Sequence, residues 1–144
     1  MDVEYIEKLL GEIRKSIETA KVVVNLDINN FISDFRNRYT LRMLIIEIIE
    51  ASANIGIHIL REDFNIQTLD SYSEIFRKLV ENRVLSHEIG MGIEKLCRLR
   101  NLIIHRYWDV DDLRIYSEAK GNGLGIIEGF VREVEEYASR FRKT

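Results

Sequence analysis

The sequence of 144 residues contains no proline and a single cysteine, Cys97. Without proline the strongest helix breaker is missing, so only glycine and polar turn residues are left to end helices. One cysteine cannot form an internal disulfide, and we therefore expect a protein of the reducing cytoplasm. Because Cys97 lies at helical spacing between Ile93 and Arg100, we interpret it as a small core residue and not as a nucleophile.

Long apolar runs and a strong net charge are also missing. No apolar run approaches the roughly 18 residues that a membrane span needs, so we expect no membrane association. The N-terminus, with Asp2, Glu4 and Glu7, lacks the layout of a signal peptide. The formal net charge of −3 differs from that of a general nucleic-acid coat protein, so any contact with RNA must be local. With 46% hydrophobic and 31% charged residues, the composition predicts one ordered, soluble domain over residues 1–144.

Apolar residues recur at a spacing of three and four over residues 3–26 and again over residues 41–60. This period predicts two amphipathic helices. The second helix is also apolar on another side, at Ile46, Ala53, Ile57 and Leu60. A helix that is apolar on two sides must be covered on both, by the core and by a second copy of the protein. The pattern therefore predicts a homodimer.

Capping and turn signals mark the helices that follow. Ser71 and Glu74 form a capping-box pattern that opens a short third helix, and a fourth helix runs into the segment described next. Asp111 is placed to cap a short segment, and the glycines of residues 121–125 predict a flexible turn. A last helix covers about residues 126–141, and basic residues lie at its end: Arg140, Arg142 and Lys143. Strand-like alternation is absent, so the sequence predicts an all-α antiparallel bundle of four to five helices.

Residues 100–107 read Arg-Asn-Leu-Ile-Ile-His-Arg-Tyr and concentrate polar chemistry at the end of an apolar helix. The candidates for function are Arg100, Asn101, His105, Arg106 and Tyr107. An imidazole can move protons near neutral pH, and a guanidinium can hold an anionic phosphate. Packing does not require this set of side chains, whereas a reaction at a phosphodiester does.

Helical geometry constrains how Arg100 and His105 can act together. A step of five residues rotates by about 140° around an α-helix, so the two side chains diverge on an unbroken helix. Either the helix unwinds near Ile104, or the site is shared with a partner subunit. The intervening apolar residues, Leu102 to Ile104, are expected to anchor the segment in the core.

The order Arg, four residues, His, one residue, Tyr resembles the signature of the HEPN superfamily, and most closely that of the HepT-like toxins. The Arg100-Asn101 pair and the Tyr-Trp-Asp-Val-Asp continuation at residues 107–111 fit this family. Glu50-Ala51 and residues 72–79 fit as well, so the resemblance runs from about Leu41 onward. The first forty residues match only generically, and Arg106 stands where the family often has a small or acidic residue.

The resemblance implies a HEPN-like dimer in which two motifs face each other across a cleft and cleave RNA without a metal. His105 would then act as general base or acid on the ribose 2′-hydroxyl and the leaving oxygen. Arg100 would stabilise charge on the phosphoryl oxygens through forked hydrogen bonds. Asn101 would orient the imidazole or hold a phosphate.

The resemblance also implies a partner, a minimal nucleotidyltransferase antitoxin that adds AMP to the motif tyrosine of the toxin in a type VII-like toxin–antitoxin pair. In this sequence that tyrosine is Tyr107. Attached phosphates would fill the anion site and exclude RNA. The other interpretation of Tyr107 is an amphipathic cap with a buried ring and a hydroxyl that meets water.

Two polar residues of the second helix, Glu50 and Asn54, lie one turn apart. They are candidates to support His105 or Arg100 around the substrate, and the alternative is a structural hydrogen bond. Arg106 is a further candidate for substrate support. The basic residues near the motif form a patch that Asp109, Asp111 and Asp112 offset; these residues are Lys95, Arg98, Arg100 and Arg106.

The sequence gives no reason to expect a metal or another cofactor. His58 and His87 lack ligands at metal spacing, and the aspartates after the motif lack the glycine and distal glutamate of a calcium loop. The glycines of residues 121–125 are not followed by the Lys-Ser or Lys-Thr of a phosphate-binding loop. Two other functions stay open: a non-catalytic helical module that binds a nucleotide or a nucleotidyltransferase, and a dimerisation bundle without a site.

Overall fold

The structure, a computed structural model, describes residues 1–141, and within this range all regular secondary structure is helical. The α-helices are α1 (Val3–Val24), α2 (Ile28–Ser33), α3 (Phe35–Phe64), α4 (Tyr72–Glu81), α5 (His87–His105), α6 (Asp112–Glu118) and α7 (Leu124–Ser139). The predicted all-α class is confirmed. The basic residues Arg142 and Lys143, which we expected near the end of the last helix, lie outside the described residues.

The five longer helices, α1, α3, α4, α5 and α7, form the predicted bundle around one apolar core. Helix α1 packs between α3 and α7, and α3 also packs against α4 and α5. The buried side of α1 repeats at the predicted spacing of three and four, with Ile6, Leu10, Ile13, Ile17, Ala20 and Val24. Fully buried phenylalanines fill the centre, where the rings of Phe76 and Phe130 meet edge to face at 6.1 Å.

Helix α3 is longer than predicted because an aspartate caps it earlier in the chain. The side chain of Asp34 accepts a hydrogen bond from the Arg36 N–H at 2.9 Å, and the helix ends before Asn65, which has a φ of 55°. The additional helix α2 begins in the same way, since Asp27 accepts from the Asn29 N–H at 2.7 Å. Its Phe31 is fully buried.

Contrary to the expectation from the sequence, one segment does reach the length and apolar character of a membrane span: helix α3 passes this test by length and composition alone. It lies at the centre of the bundle, and 56% of its most apolar stretch is buried against other helices. Where α3 meets α4, Gly56 has no room for a side chain, because a Cβ there would lie 2.5 Å from Cγ2 of Ile75. This close approach brings the start of α4 beside the middle of α3.

The predicted flexible turn at residues 121–125 is wrong. A π-helical turn, Ala119–Gly123, joins α6 to α7 without a break. Its packing explains the difference, since Gly123 is buried beside Leu96 of α5 and the following Leu124 is also buried. Tertiary contacts therefore override the weak helix preference of glycine.

The two predicted caps are confirmed. Ser71 accepts from the Glu74 N–H at 3.2 Å, and the Glu74 carboxylate reaches back to the Asp70 N–H at 2.8 Å, one residue further than in a standard capping box. Asp111 accepts from the Leu113 N–H at 3.1 Å and thereby starts α6.

The second apolar side of α3, which we expected to contact a second copy, is largely covered within one protomer instead. Ala53 and Leu60 are buried within the protomer, and Ile46 and Ile57 are half-buried. The exposed apolar residues of α3 lie nearer its start and form a stripe at one-turn spacing: Phe35, Tyr39 and Met43.

Candidate active site

The functional motif lies at the end of α5, which remains regular until His105. The Arg106 N–H still bonds to the Leu102 carbonyl at 2.9 Å, and Arg106 then leaves the helix with φ −137° and ψ 45°. The helix therefore does not unwind near Ile104, which leaves the other alternative from the sequence, a site shared with a partner subunit. Ile103 is buried in the core and its two neighbours are half-buried, which holds the last turn in place. As a result Arg100 and His105 point to different sides of α5.

Arg100 faces inward and is held by α3 and α4. Its Nη2 pairs with Oε1 of Glu50, and its Nη1 donates to Oδ1 of Asn101 at 2.8 Å. The guanidinium carbon lies 4.7 Å from the centre of the Tyr72 ring, a cation–π contact. The Tyr72 hydroxyl donates to the other Glu50 oxygen at 2.6 Å. Only 16% of the Arg100 side chain is exposed, so its orientation is fixed before any substrate arrives.

Charge stabilises this cluster. Burial by itself favours the neutral acid of Glu50, but hydrogen bonds from Tyr72 and Arg100, with the charge of Arg100, hold the pKa of Glu50 below its ordinary value. Burial and the adjacent carboxylate raise the pKa of Tyr72. At neutral pH the cluster therefore contains a carboxylate, a guanidinium and a protonated phenol.

The rest of the motif faces solvent. His105, Asn101 and Arg106 are exposed, and Arg106 pairs loosely with Asp109 at 3.4 Å. Tyr107 begins a 3₁₀ turn, Tyr107–Asp109, and the residue is 64% exposed. Its ring packs edge to face on that of Trp108 at 5.3 Å. The interpretation of Tyr107 as a cap with a buried ring is therefore wrong.

Asn54 does not join the cluster around Arg100. It is exposed and borders a shallow depression with Asp2, Tyr5 and His58, and the structure gives it no hydrogen bond to Glu50. His58 itself accepts a hydrogen bond from the Asp2 N–H at 3.0 Å. The supporting role of Asn54 stays a prediction.

Cys97 is buried beneath the motif, and burial raises the pKa of its thiol to about 12. It is therefore a core residue, as predicted, because a thiol of this kind does not form the reactive thiolate. Among residues 1–141 no group of three or more His, Cys, Asp or Glu side chains is placed to hold a metal ion.

Two contacts near the site were missed from the sequence. Tyr72 was seen only as part of a helix start, although it bonds Glu50 and stacks on Arg100. We interpreted Asp112 as balancing the basic patch of the motif, but it pairs with Arg42 of α3 at 2.7 Å and ties α6 to that helix. A charged residue in the apolar α3 was the available signal for Arg42, and its partner lies seventy positions away.

Replacing Glu50 by Gln should weaken the cluster in a pH-dependent way. The pKa of Glu50 is lower in the folded protein, so its ionised form stabilises the fold above its unfolded pKa of about 4.3, and this stabilisation is lost as pH falls through the folded value. We expect a loss of about 0.5–1 kcal/mol at pH 7, since 38% of the side chain remains exposed. Urea unfolding of wild type and Glu50→Gln between neutral and acidic pH measures the difference.

Glu47→Gln is the matched control, because Glu47 is an exposed carboxylate on the same helix. The difference between wild type and Glu50→Gln should shrink toward acidic pH, and that for Glu47 should stay small throughout. Equal pH profiles for the two variants would contradict a stabilising Glu50–Arg100 pair.

Comparison with known proteins links this site to a family. A family model described as ribonuclease HepT-like matches residues 13–134. The tRNA nuclease HepT of Aphanizomenon flos-aquae strain 2012/KM1/D3 is 26% identical over 134 residues, which cover 92% of this chain and 88% of that protein.

Solved structures resemble the fold. The tri-AMPylated HEPN toxin of Shewanella oneidensis, in complex with MNT antitoxin, aligns with a TM-score of 0.83 and 20% identity over 94% of this chain and 98% of that one. YutE of Bacillus subtilis, a cytosolic protein of unknown function, aligns with a TM-score of 0.82 and 20% identity over 99% and 94% of the two chains. The predicted HEPN-like fold is thereby confirmed. Since the family model spans most of the sequence and the whole of the motif at residues 100–107, the chain belongs to the ribonuclease HepT-like family.

Proposed function

We propose that this protein is a metal-independent endoribonuclease, the toxin of a type VII-like HEPN/nucleotidyltransferase pair, which acts in the cytoplasm as a homodimer of single HEPN-like domains. The observation that carries the proposal is the arrangement of the motif: an exposed imidazole, His105, ends the helix that holds Arg100 in a fixed orientation. The family description, and the relative described as a tRNA nuclease, support this reaction class.

The proposed reaction needs proton transfer at two oxygens. One His105 removes the proton of a ribose 2′-hydroxyl, whose oxygen forms a new bond to the adjacent phosphorus. The bond from phosphorus to the 5′ oxygen breaks, and that oxygen receives a proton from His105 of the second protomer. The products are a 2′,3′-cyclic phosphate and a free 5′-hydroxyl, so the step requires no metal and no external nucleophile.

Because Arg100 and His105 of one protomer point to different sides of α5, we propose that the phosphate lies in a site shared by two protomers, where Arg100 is suited to stabilise the phosphoryl oxygens in the transition state. A guanidinium carries five N–H donors, and here Glu50 and Asn101 each accept one of them. The Nε atom is buried and has no hydrogen-bond partner among residues 1–141, whereas the terminal nitrogens keep donors for a ligand. Because Glu50 and Tyr72 fix its orientation, Arg100 loses little freedom when it binds a phosphate. Exposed Asn101 and Arg106 would support the substrate next to it.

A second protomer would complete the site. One chain offers a single imidazole at the C-terminal end of α5, and a two-fold axis near this end would bring two of them together. The exposed stripe Phe35, Tyr39 and Met43 on α3 provides apolar surface for such a dimer.

Tyr107 is suited to be the site of control by the antitoxin. Its phenol is exposed two positions beyond His105, within reach of a nucleotidyltransferase. AMP attached there would place phosphates beside Arg106 and block access of RNA. The similar structure of a tri-AMPylated HEPN toxin with MNT antitoxin supports this proposal.

A second candidate is the non-catalytic module that binds a nucleotide or a nucleotidyltransferase. The pairing of Arg100 with Glu50 favours it, because a paired guanidinium also serves a purely structural role. The two functions differ in what they require of His105, since only cleavage depends on its ability to transfer protons.

His105→Ala should lower RNA cleavage by roughly 10²–10⁴-fold, the usual contribution of a general acid or base. The assay follows cleavage of a tRNA pool with EDTA present and identifies the fragment ends. His87→Ala is the matched control, because His87 is an exposed histidine at the other end of α5. Cleavage by His105→Ala at the wild-type rate would contradict the catalytic role of His105. Loss of wild-type cleavage in EDTA would contradict a metal-independent reaction.

Tyr107→Phe should abolish modification by the cognate nucleotidyltransferase and leave the toxin active. Intact mass after incubation with ATP and the partner should show added AMP units on wild type and none on the variant. Tyr5→Phe, which alters another exposed tyrosine outside the motif and the α3 stripe, should be modified like wild type. An unchanged mass gain in Tyr107→Phe would mean that another residue is the acceptor.

A further inference from the structure

The outer face of α5 carries two cations between its middle and His105. Lys95 and Arg98 are both exposed, as is His105. His105 lies seven positions after Arg98, which places the two residues about 20° apart around the helix and about 10 Å apart along it. Lys95 lies one turn further back and about 60° to the side. The three side chains therefore follow one continuous strip of the surface.

Among the residues that the structure describes, these two cations have no counter-ion. Within residues 1–141 neither Lys95 nor Arg98 has a carboxylate at ion-pair distance, whereas other cations around them do. Arg77 pairs with Glu94 at 3.0 Å, and Arg114 pairs with Glu118 at 3.2 Å. Glu94 is also the one acidic residue of α5 between Met91 and His105, so its pairing removes the negative charge from this part of the helix.

An uncompensated pair of cations is a local feature in a chain whose net charge is −3. Such a pair attracts a polyanion at one place and leaves the rest of the surface repulsive. A guanidinium and an ammonium on long side chains can both reach phosphates, and neither needs a particular base. The strip lies in line with the imidazole that acts on the substrate in the proposed function.

We propose that the Lys95–Arg98 strip of α5 binds the backbone of single-stranded RNA and delivers the scissile phosphate to His105. Two phosphates on one side of the cleavage point contact Lys95 and Arg98. The inference rests on the proposed function for its substrate class, and it adds where the RNA lies on the protein and which end of α5 its flank covers.

The test measures RNA affinity in the His105→Ala background, in which the RNA stays intact. Fluorescence anisotropy of a labelled single-stranded RNA is followed between about 50 and 200 mM salt. Adding Lys95→Ala and Arg98→Ala should reduce the slope of log affinity against log salt by about 1.4, since each single-strand phosphate contact contributes about 0.7. Affinity should fall roughly ten- to thirtyfold at about 0.1 M salt.

The control has the same change in net charge. Lys8→Ala with Arg132→Ala removes two exposed cations on α1 and α7 that also lack ion pairs within residues 1–141. This variant should keep the slope of its parent. Equal losses of RNA affinity in the two double variants would indicate a non-specific charge effect and would contradict RNA binding along the strip. An unchanged salt slope in the Lys95/Arg98 variant would also contradict it.

The same experiment separates this inference from the proposed function. If wild type cleaves RNA and the Lys95/Arg98 variant keeps its salt slope, RNA does not bind along the strip, and the proposed nuclease activity is supported. If wild type cleaves no RNA and the slope still depends on Lys95 and Arg98, the strip is supported as an RNA-binding site and the proposed nuclease activity is wrong.

Discussion

A step of five residues along an unbroken helix is the constraint on which the site depends. Because α5 stays regular to His105, Arg100 turns inward and His105 turns outward. The inward guanidinium needs a counter-charge, which Glu50 supplies from α3, and an aromatic surface, which Tyr72 supplies from α4. The close packing of α3 on α4 at Gly56 brings these two residues together. The packing of α3 on α4 therefore also sets the geometry around Arg100.

Most of the fold could be predicted from local sequence, because period and capping act over a few residues. The caps at Ser71 and Asp111 and the buried side of α1 are of this kind. The elements that were predicted wrongly or not at all depend on contacts between distant residues. Helix α2 depends on the fully buried Phe31, whose ring packs at a tilt on that of the distant Tyr116 at 4.8 Å, and the glycine-rich segment stays helical because its neighbours are buried. Neither contact can be read from nearby residues.

The residues of the site also fall into two groups, those that the local sequence predicts and those that depend on helix packing. Arg100, His105 and Tyr107 were identified because their chemistry is concentrated in eight consecutive residues. The second phenol, Tyr72, was missed because its role exists only once α4 packs beside α3. The exposure of Tyr107 follows from the end of α5, where the chain turns away from the core. A motif thus predicts which side chains act, and the packing decides which of them are free to do so.

The central claim is that two protomers each contribute one His105 to a shared reaction. The most direct measurement mixes wild-type and His105→Ala protomers in varied ratios, allows them to exchange, and follows RNA cleavage. If both imidazoles are needed, mixed dimers are inactive and the rate falls with the square of the wild-type fraction, to about a quarter at equal amounts. A rate that falls in proportion to the wild-type fraction would contradict the account, because each protomer would then cleave with its own histidine.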